Sequence, residues 1–449
     1  MKLFQQLLVV GASLGFIAPI SAQAANIVDL EEMSSYSRSK KKSSKLDSTT
    51  FTNTVSGNTS SLKKSSRLDS KTFINDVSED TATIKGPFDD HGDQLNKFEA
   101  GSFSDTTVMG GTAVMWIGSI DGGDEIGESE STSTGYTYKW DLNTSFSGDD
   151  NLYVRLKTGE QGDIWKNKYT YHIETKDNSD LMEVDKMWYT FPIGEKITAF
   201  VGPRIENYYM YITPSIYKPG ALKSFKLGGN SNFGASTDVG YGLKYEHDNG
   251  IGFATNVVDK GADENAGWFA PANAIKWDSQ LAYTTERWHV SGTLSNARNW
   301  SAHEYNATTL GRQVARDSIG YALRAYWMPE ETGTTVPEVT VGYDTKSYGG
   351  VVNDGDTTQA NSYMLGLTWK DMIQADDRIG IAFTQPLSAT EVQGGGATGE
   401  VGAQVWEAYY SFRPNDAMEI TPAIFGGNDI ASSEDDDIFG LLLTSKFKF

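Results

Sequence analysis

Cysteine is absent from the 449 residues, which excludes disulfides, thiolate metal sites and cysteine nucleophiles. Histidine is scarce: His91, His172, His247, His289 and His303 are scattered, with no H-x-x-x-H or H-E-x-x-H spacing. No metal centre and no cofactor is expected. Long apolar runs are missing beyond the N-terminus, and hydrophobic residues make up only 38% of the chain. That excludes a bundle of membrane helices but leaves open a membrane β-barrel, whose strands are apolar on one face only. Positive charge is in short supply, with 38 Lys and Arg against 59 Asp and Glu and a net charge of −21, which argues against a nucleic-acid binder.

Catalytic patterns are missing as well. The one G-x-S-x-G match, Gly11 to Gly15, lies within an export signal and cannot be an esterase elbow. Gly240-Tyr241-Gly242 lacks the rest of a dinucleotide fingerprint, and Asp354-Gly355-Asp356 lacks EF-hand spacing. With no nucleophile and base paired in the pattern, the protein is not expected to be an enzyme.

What is present begins with that export signal. Lys2, an apolar run over 7–20 and Ala22-Gln23-Ala24 make the charged start, core and cleavage site of a secretory peptide, residues 1–24. Residues 25–97 form a second, low-complexity segment. Within it Lys41-Lys42-Ser43-Ser44-Lys45-Leu46-Asp47-Ser48 returns 22 residues later as Lys63-Lys64-Ser65-Ser66-Arg67-Leu68-Asp69-Ser70. Two copies are too few for a solenoid. Residues 34–75 carry nine basic and two acidic side chains, a net +7 that leaves 76–449 at −26. Such a basic periplasmic arm is either a solvated linker or a contact to an anionic cell-wall polymer or lipid phosphate.

Residues 98–449 read as strands of period two. Tyr136, Tyr138, Trp140 and Leu142 alternate with Lys139, Asp141 and Asn143. Ile319, Tyr321, Leu323, Ala325 and Trp327 alternate with Gly320, Ala322, Arg324 and Tyr326. Each run is about ten residues, the length of a tilted membrane strand. Short turns such as 147–150, 192–195, 247–250 and 414–416 alternate with long loops such as 161–180, 205–236 and 297–315. Paired off, they give about sixteen strands. A β-sandwich would show the same alternation. Two features favour an all-β transmembrane antiparallel barrel. Aromatics such as Phe146, Tyr189, Phe191, Tyr245, Trp327, Trp369 and Phe412 sit at strand ends, and the chain closes on Leu441, Leu443, Phe447 and Phe449 opposite Lys446 and Lys448.

A barrel of that size leaves an aqueous lumen. Lys139, Arg155, Lys157, Lys244, Glu246, Lys276, Asp278, Arg324 and Glu407 would line it, since charges on the lipid face cost ~2–4 kcal/mol near the midplane. The long loop after the fifth strand is the candidate constriction: Arg204, Glu206, Lys218, Lys223 and Lys226 would stand beside the pore axis if it folds inward. Two acidic runs, Asp121 to Glu130 and Glu434 to Asp437, would make a negative vestibule, so the sign of ion selectivity stays open.

The stretches Phe98 to Ser104, Asp141 to Gly159, Asp185 to Gly194, Gly202 to Thr237, Tyr321 to Gly333 and Thr421 to Phe425, with the final strand, resemble the outer-membrane porins of cyanobacteria, relatives of the OprB-type carbohydrate-selective porins. The resemblance implies a passive pore, a homotrimer in outer-membrane lipid, for small hydrophilic solutes: sugars, inorganic ions or iron. It offers no catalytic residues. The chain departs from that pattern at its N-terminus, where the basic repeat stands in place of an S-layer-homology domain. The competing expectation is a structural barrel that tethers the envelope through its basic arm.

Overall fold

The computed structural model describes residues 106–449 apart from 123–131, 166–169, 213–214, 230–236, 263–266, 314, 351–352, 396–402 and 429–436. The export signal, the basic arm and most of the two acidic runs lie outside the described residues.

Sixteen strands follow in order: β1 (Thr107–Gly122), β2 (Ser133–Thr144), β3 (Asn151–Gln161), β4 (Glu183–Ile193), β5 (Ile197–Glu206), β6 (Thr237–Glu246), β7 (Ile251–Lys260) and β8 (Ala274–Thr284). The second half comprises β9 (Trp288–Trp300), β10 (Arg316–Trp327), β11 (Glu338–Tyr348), β12 (Thr357–Lys370), β13 (Arg378–Val392), β14 (Gln404–Asn415), β15 (Met418–Asn428) and β16 (Ile438–Lys448). Each pairs antiparallel with its neighbours in sequence, and β1 pairs with β16 to close the barrel. Among the described residues no helix is long and apolar enough to cross a membrane.

Strand β10 shows why the chain folds this way. Ile319, Tyr321, Leu323 and Trp327 are exposed, while Ser318, Gly320, Ala322, Arg324 and Tyr326 between them are buried. Successive side chains point to opposite faces of a strand. The same pattern recurs round the barrel: Leu281, Val290, Leu294, Val341, Leu365, Ile381 and Ile424 are all exposed on its outside. A closed antiparallel sheet with an apolar outer face satisfies every backbone group without water, which is the requirement for spanning hydrocarbon.

Short turns gather at one rim. In the β2–β3 turn the Asp150 carboxylate accepts from Ser147 N at 2.7 Å, Phe146 N at 3.0 Å, Ser145 Oγ at 2.9 Å and Tyr189 OH at 2.7 Å. In the β12–β13 turn Asp377 accepts from the amides of Met372, Ile373 and Gln374 at 2.8–2.9 Å. Burial pushes both carboxyls up, but these hydrogen bonds outweigh it and hold them below the ordinary carboxylate range. Aromatic rings cluster at this rim: Tyr189 on Phe191 at 5.5 Å, Tyr283 on Trp288 at 5.5 Å and Tyr410 on Phe412 at 5.4 Å. The seam is closed by the last residue. Gly111 and Phe449 exchange two backbone hydrogen bonds of 2.7 and 3.1 Å. A Cβ on Gly111 would lie 2.1 Å from the Phe449 ring, so any larger residue there requires that ring to move.

The interior departs from the expectation of a uniformly wet inner face. Val114, Trp116 and Ile120 on β1, Val405 on β14, Phe425 on β15 and Leu442 on β16 form a buried apolar cluster inside the barrel. Trp165, Tyr217, Leu222 and Phe225, all from loops, pack into it, with Met364 on β12 and Ala382 on β13 also in contact. Fully burying side chains of this size contributes ~1.5–3 kcal/mol each. One flank of the inner wall is therefore an apolar seat for loops rather than a hydrated lining.

Candidate functional site

The β5–β6 loop enters the lumen. After β5 it forms a 3-10 turn, Asn207–Met210, then runs to a second, Lys223–Gly228. Wall side chains hold it along its length. The Gln280 amide on β8 pairs with the backbone of Ile212 as a strand would, accepting from Ile212 N at 2.8 Å and donating to Ile212 O at 3.1 Å. The Glu407 carboxylate on β14 accepts from Tyr217 OH at 2.8 Å and from three consecutive amides: Gly220 at 3.0 Å, Ala221 at 3.1 Å and Leu222 at 2.8 Å. Arg324 on β10 donates to Leu227 O at 2.9 Å and Gly229 O at 2.6 Å, and is itself paired with Asp344 on β11 at 2.8 Å. The backbone lies so close to the wall here that a Cβ on Gly342 would fall 1.9 Å from Gly228 O. Non-helical backbone at this depth is permitted because protein groups satisfy it.

Two further loops, not anticipated from the sequence, come in with it. The β3–β4 loop pairs with the first: Ile173 N donates to Ala221 O at 2.8 Å and Lys223 N to Tyr171 O at 2.9 Å. His172 between them is buried and packs against Trp116, with ring centroids 4.4 Å apart and the planes tilted by 34°. The β9–β10 loop, with the short helix α1 (Thr309–Arg312), docks on β13 through Thr308 N to Leu387 O at 3.0 Å. It also accepts Ser224 Oγ at Tyr305 O, 2.7 Å.

Charge gathers where the β3–β4 and β5–β6 loops face β2, β3 and β4. Lys139 pairs with Glu174 at 3.6 Å, Arg155 with Asp141 at 2.6 Å, Lys186 with Glu206, and Lys446 with Glu174 at 3.5 Å. Lys226 Nζ donates to Tyr208 OH at 2.7 Å, and Lys223 Nζ stands 5.0 and 5.1 Å from the rings of Tyr171 and Tyr305. Lys157 Nζ lies 3.5 Å from Thr175 O.

Of the expected constriction residues, Glu206, Lys223 and Lys226 come together on this flank. Lys218 lies on the same loop, half-buried, its carbonyl accepting from Tyr409 OH at 2.5 Å. Arg204 is corrected: it is exposed and its Nε lies 3.4 Å from Asp185 O. The register shows why. Gly202 opposes Gly240, so an unbroken ladder would set residue 204 opposite Asp238; a bulge puts Ile205 there instead. Pro203 has no amide to continue the ladder.

Of the expected lining residues, Lys139, Arg155 and Lys157 are in this cluster, with Lys139 and Arg155 buried. Lys244 stands apart on β6, paired with Glu246 at 3.1 Å. Arg324 and Glu407 are corrected from lining to anchoring, since both are buried and engaged by the loop. Sequence reasoning missed Lys186 and Gln280. Lys186 shares its strand face with the buried Trp188, a local signal that could have found it, but Gln280 carries none.

No family model matches the chain. An uncharacterized protein of Nostoc sp. is 25% identical over 399 residues, 78% of this chain; the chain spans 66% of that protein's length. The solved structure of Pseudomonas putida OprB is similar at 9% identity, with a TM-score of 0.53, covering 80% of this chain and 96% of that one. A loop-deletion variant of OmpT, an outer membrane protein of Vibrio cholerae, is similar at 10% identity, with a TM-score of 0.50, covering 77% of this chain and all of that one. At these identities the likeness is one of fold: a sixteen-stranded barrel of the outer-membrane porin type. With its apolar outer face and its aromatic rim, the protein belongs in the outer membrane.

Proposed function

We propose that the protein is a passive channel for small hydrophilic solutes, with the clamped β5–β6 loop as its constriction. One observation carries this reading. The loop is held inside the lumen by Gln280, Glu407 and Arg324, which narrows the barrel. A barrel of sixteen strands is wide enough to keep an aqueous path past such a loop. The sequence resemblance to cyanobacterial porins supports the same reading, and extends it to a homotrimer. Purified protein in a planar bilayer should give stepwise, non-rectifying ionic conductance, and liposomes carrying it should swell in small sugars. Failure of folded protein to raise membrane conductance would sink the channel reading. A closed barrel that instead co-sediments with cell-wall polymer, and loses that binding when 25–97 are removed, would favour the tether.

A further inference from the structure

On the inner faces of β2, β3 and β4 cations oppose cations. Lys139 stands directly opposite Lys157, and Arg155 directly opposite Lys186. Like charges at directly opposed positions weaken a sheet. Two such pairs side by side run against what the fold alone favours, and departures of that kind mark functional places.

The cations fall into two sets. Lys139, Arg155 and Lys186 are buried and matched by Glu174, Asp141 and Glu206. Lys157 and Lys223 are half-buried, and among the described residues neither has a carboxylate within ion-pair distance. Lys157 feels the charges of Lys139 and Lys223, and Lys223 those of Lys226 and Lys176, against the carboxylates of Asp185 and Glu174, which act on both. The carboxylates nearby are already engaged: Glu174 with Lys139 and Lys446, and Asp185 with Lys176 at 3.6 Å. Rings bound the place, with Tyr171 5.2 Å from Tyr305 and Tyr208 4.6 Å from Tyr209. A surplus of ammonium groups in a narrow, partly water-excluded gap attracts anions. Each ammonium offers three rotatable donors, which suits oxyanions of varied shape.

We propose that Lys157 and Lys223 form an anion-binding station in the lumen, so that the channel passes small oxyanions in preference to cations. The proposal rests on the channel reading and names its solute class. The strongly acidic body does not decide the matter. Its outer-loop charges act over a Debye length of ~8 Å at physiological salt, whereas a solute at the constriction touches the lysines themselves.

The test is the reversal potential of the full protein in a planar bilayer across a KCl gradient, with inorganic phosphate as the oxyanion probe. The expected chloride-to-potassium permeability ratio is about tenfold, and phosphate should reduce the chloride current saturably. The double substitution Lys157→Gln, Lys223→Gln should bring the ratio near unity and abolish the phosphate effect with channels still open. Lys223→Gln alone, which alters no strand, should move both in the same direction, and Lys196→Gln in the β4–β5 turn should move neither. Open channels with a ratio of one or less, or phosphate block that survives the double substitution, would overturn the proposal and leave the channel reading intact. Absence of any open channel would overturn both.

Discussion

Removing one charge from Glu407 isolates the clamp. Its Oε1 serves Tyr217 OH and Gly220 N, and its Oε2 serves Ala221 N and Leu222 N. Glu407→Gln is nearly isosteric, but its amide nitrogen replaces one acceptor oxygen, so two donors of the loop then face a donor. Leaving a buried donor unsatisfied costs ~1–3 kcal/mol, so the pair costs about 2–6 kcal/mol. At about 1.4 kcal/mol per tenfold, even the low figure raises the released population of the 217–222 segment roughly thirtyfold. Gln280 and Arg324 still hold the loop on either side of that segment, so the barrel itself should stay closed. Single-channel recording should then show a larger mean conductance and more open-channel noise than the parent protein, with the folded barrel checked by its heat-modifiable mobility in detergent. Unchanged conductance and noise in a properly folded Glu407→Gln barrel would refute the idea that this carboxylate sets the aperture.

Three further outcomes test the fold and its orientation. Gly111→Val drives a side chain into the Phe449 ring and should lower the yield of closed, heat-modifiable barrel, with Phe449→Ala partly restoring it; normal assembly of Gly111→Val would contradict the seam described here. Leu281→Lys places an ammonium on the outer face of β8, between midplane and rim, and should destabilise the barrel by up to ~2–4 kcal/mol in folding titrations with lipid vesicles, an effect that vanishes if this face is not in hydrocarbon. Asp377 is held below the ordinary carboxylate range, so the stability it contributes is present above pH ~4 and lost as pH falls toward its folded value. Asp377→Asn should therefore lower stability at neutral pH and flatten its acid dependence, and a variant with the parent's full acid sensitivity would tell against that role.

The barrel was legible because period two is a local property. Ile319, Tyr321, Leu323 and Trp327 declare their face within nine residues, and each short turn carries its own chemistry. The clamps were not legible, because they join positions far apart in the chain. Glu407 meets Leu222 across 185 residues, and Arg324 meets Gly229 across 95. A charged residue on an inward strand position looks the same in sequence whether it faces water or receives a loop. The apolar seat on β1 and β14–β16 could have been suspected: Val114, Trp116 and Ile120 share the parity that points inward, where water alone would not favour them.

Arg204 and Lys186 show how the remainder of the site depends on phase. A one-residue bulge at Pro203 carries Arg204 out of the lumen and brings Ile205 in, over Gly240. Lys186 lies opposite Arg155 in the unbroken part of the β3–β4 ladder; the break follows that pair, sets Val184 rather than Asp185 opposite Leu156, and leaves Asp185 near Lys176. Since side-chain direction inverts with each inserted residue, the bulge in β5 decides that Arg204 stays out of the lumen. The bulge removes a guanidinium that composition would have counted, while the regular register of β4 supplies an ammonium directly opposite Arg155. What a solute meets at the constriction is therefore set less by the net charge of the protein than by the parity of β4 and β5, and by which of the inward cations already has a carboxylate.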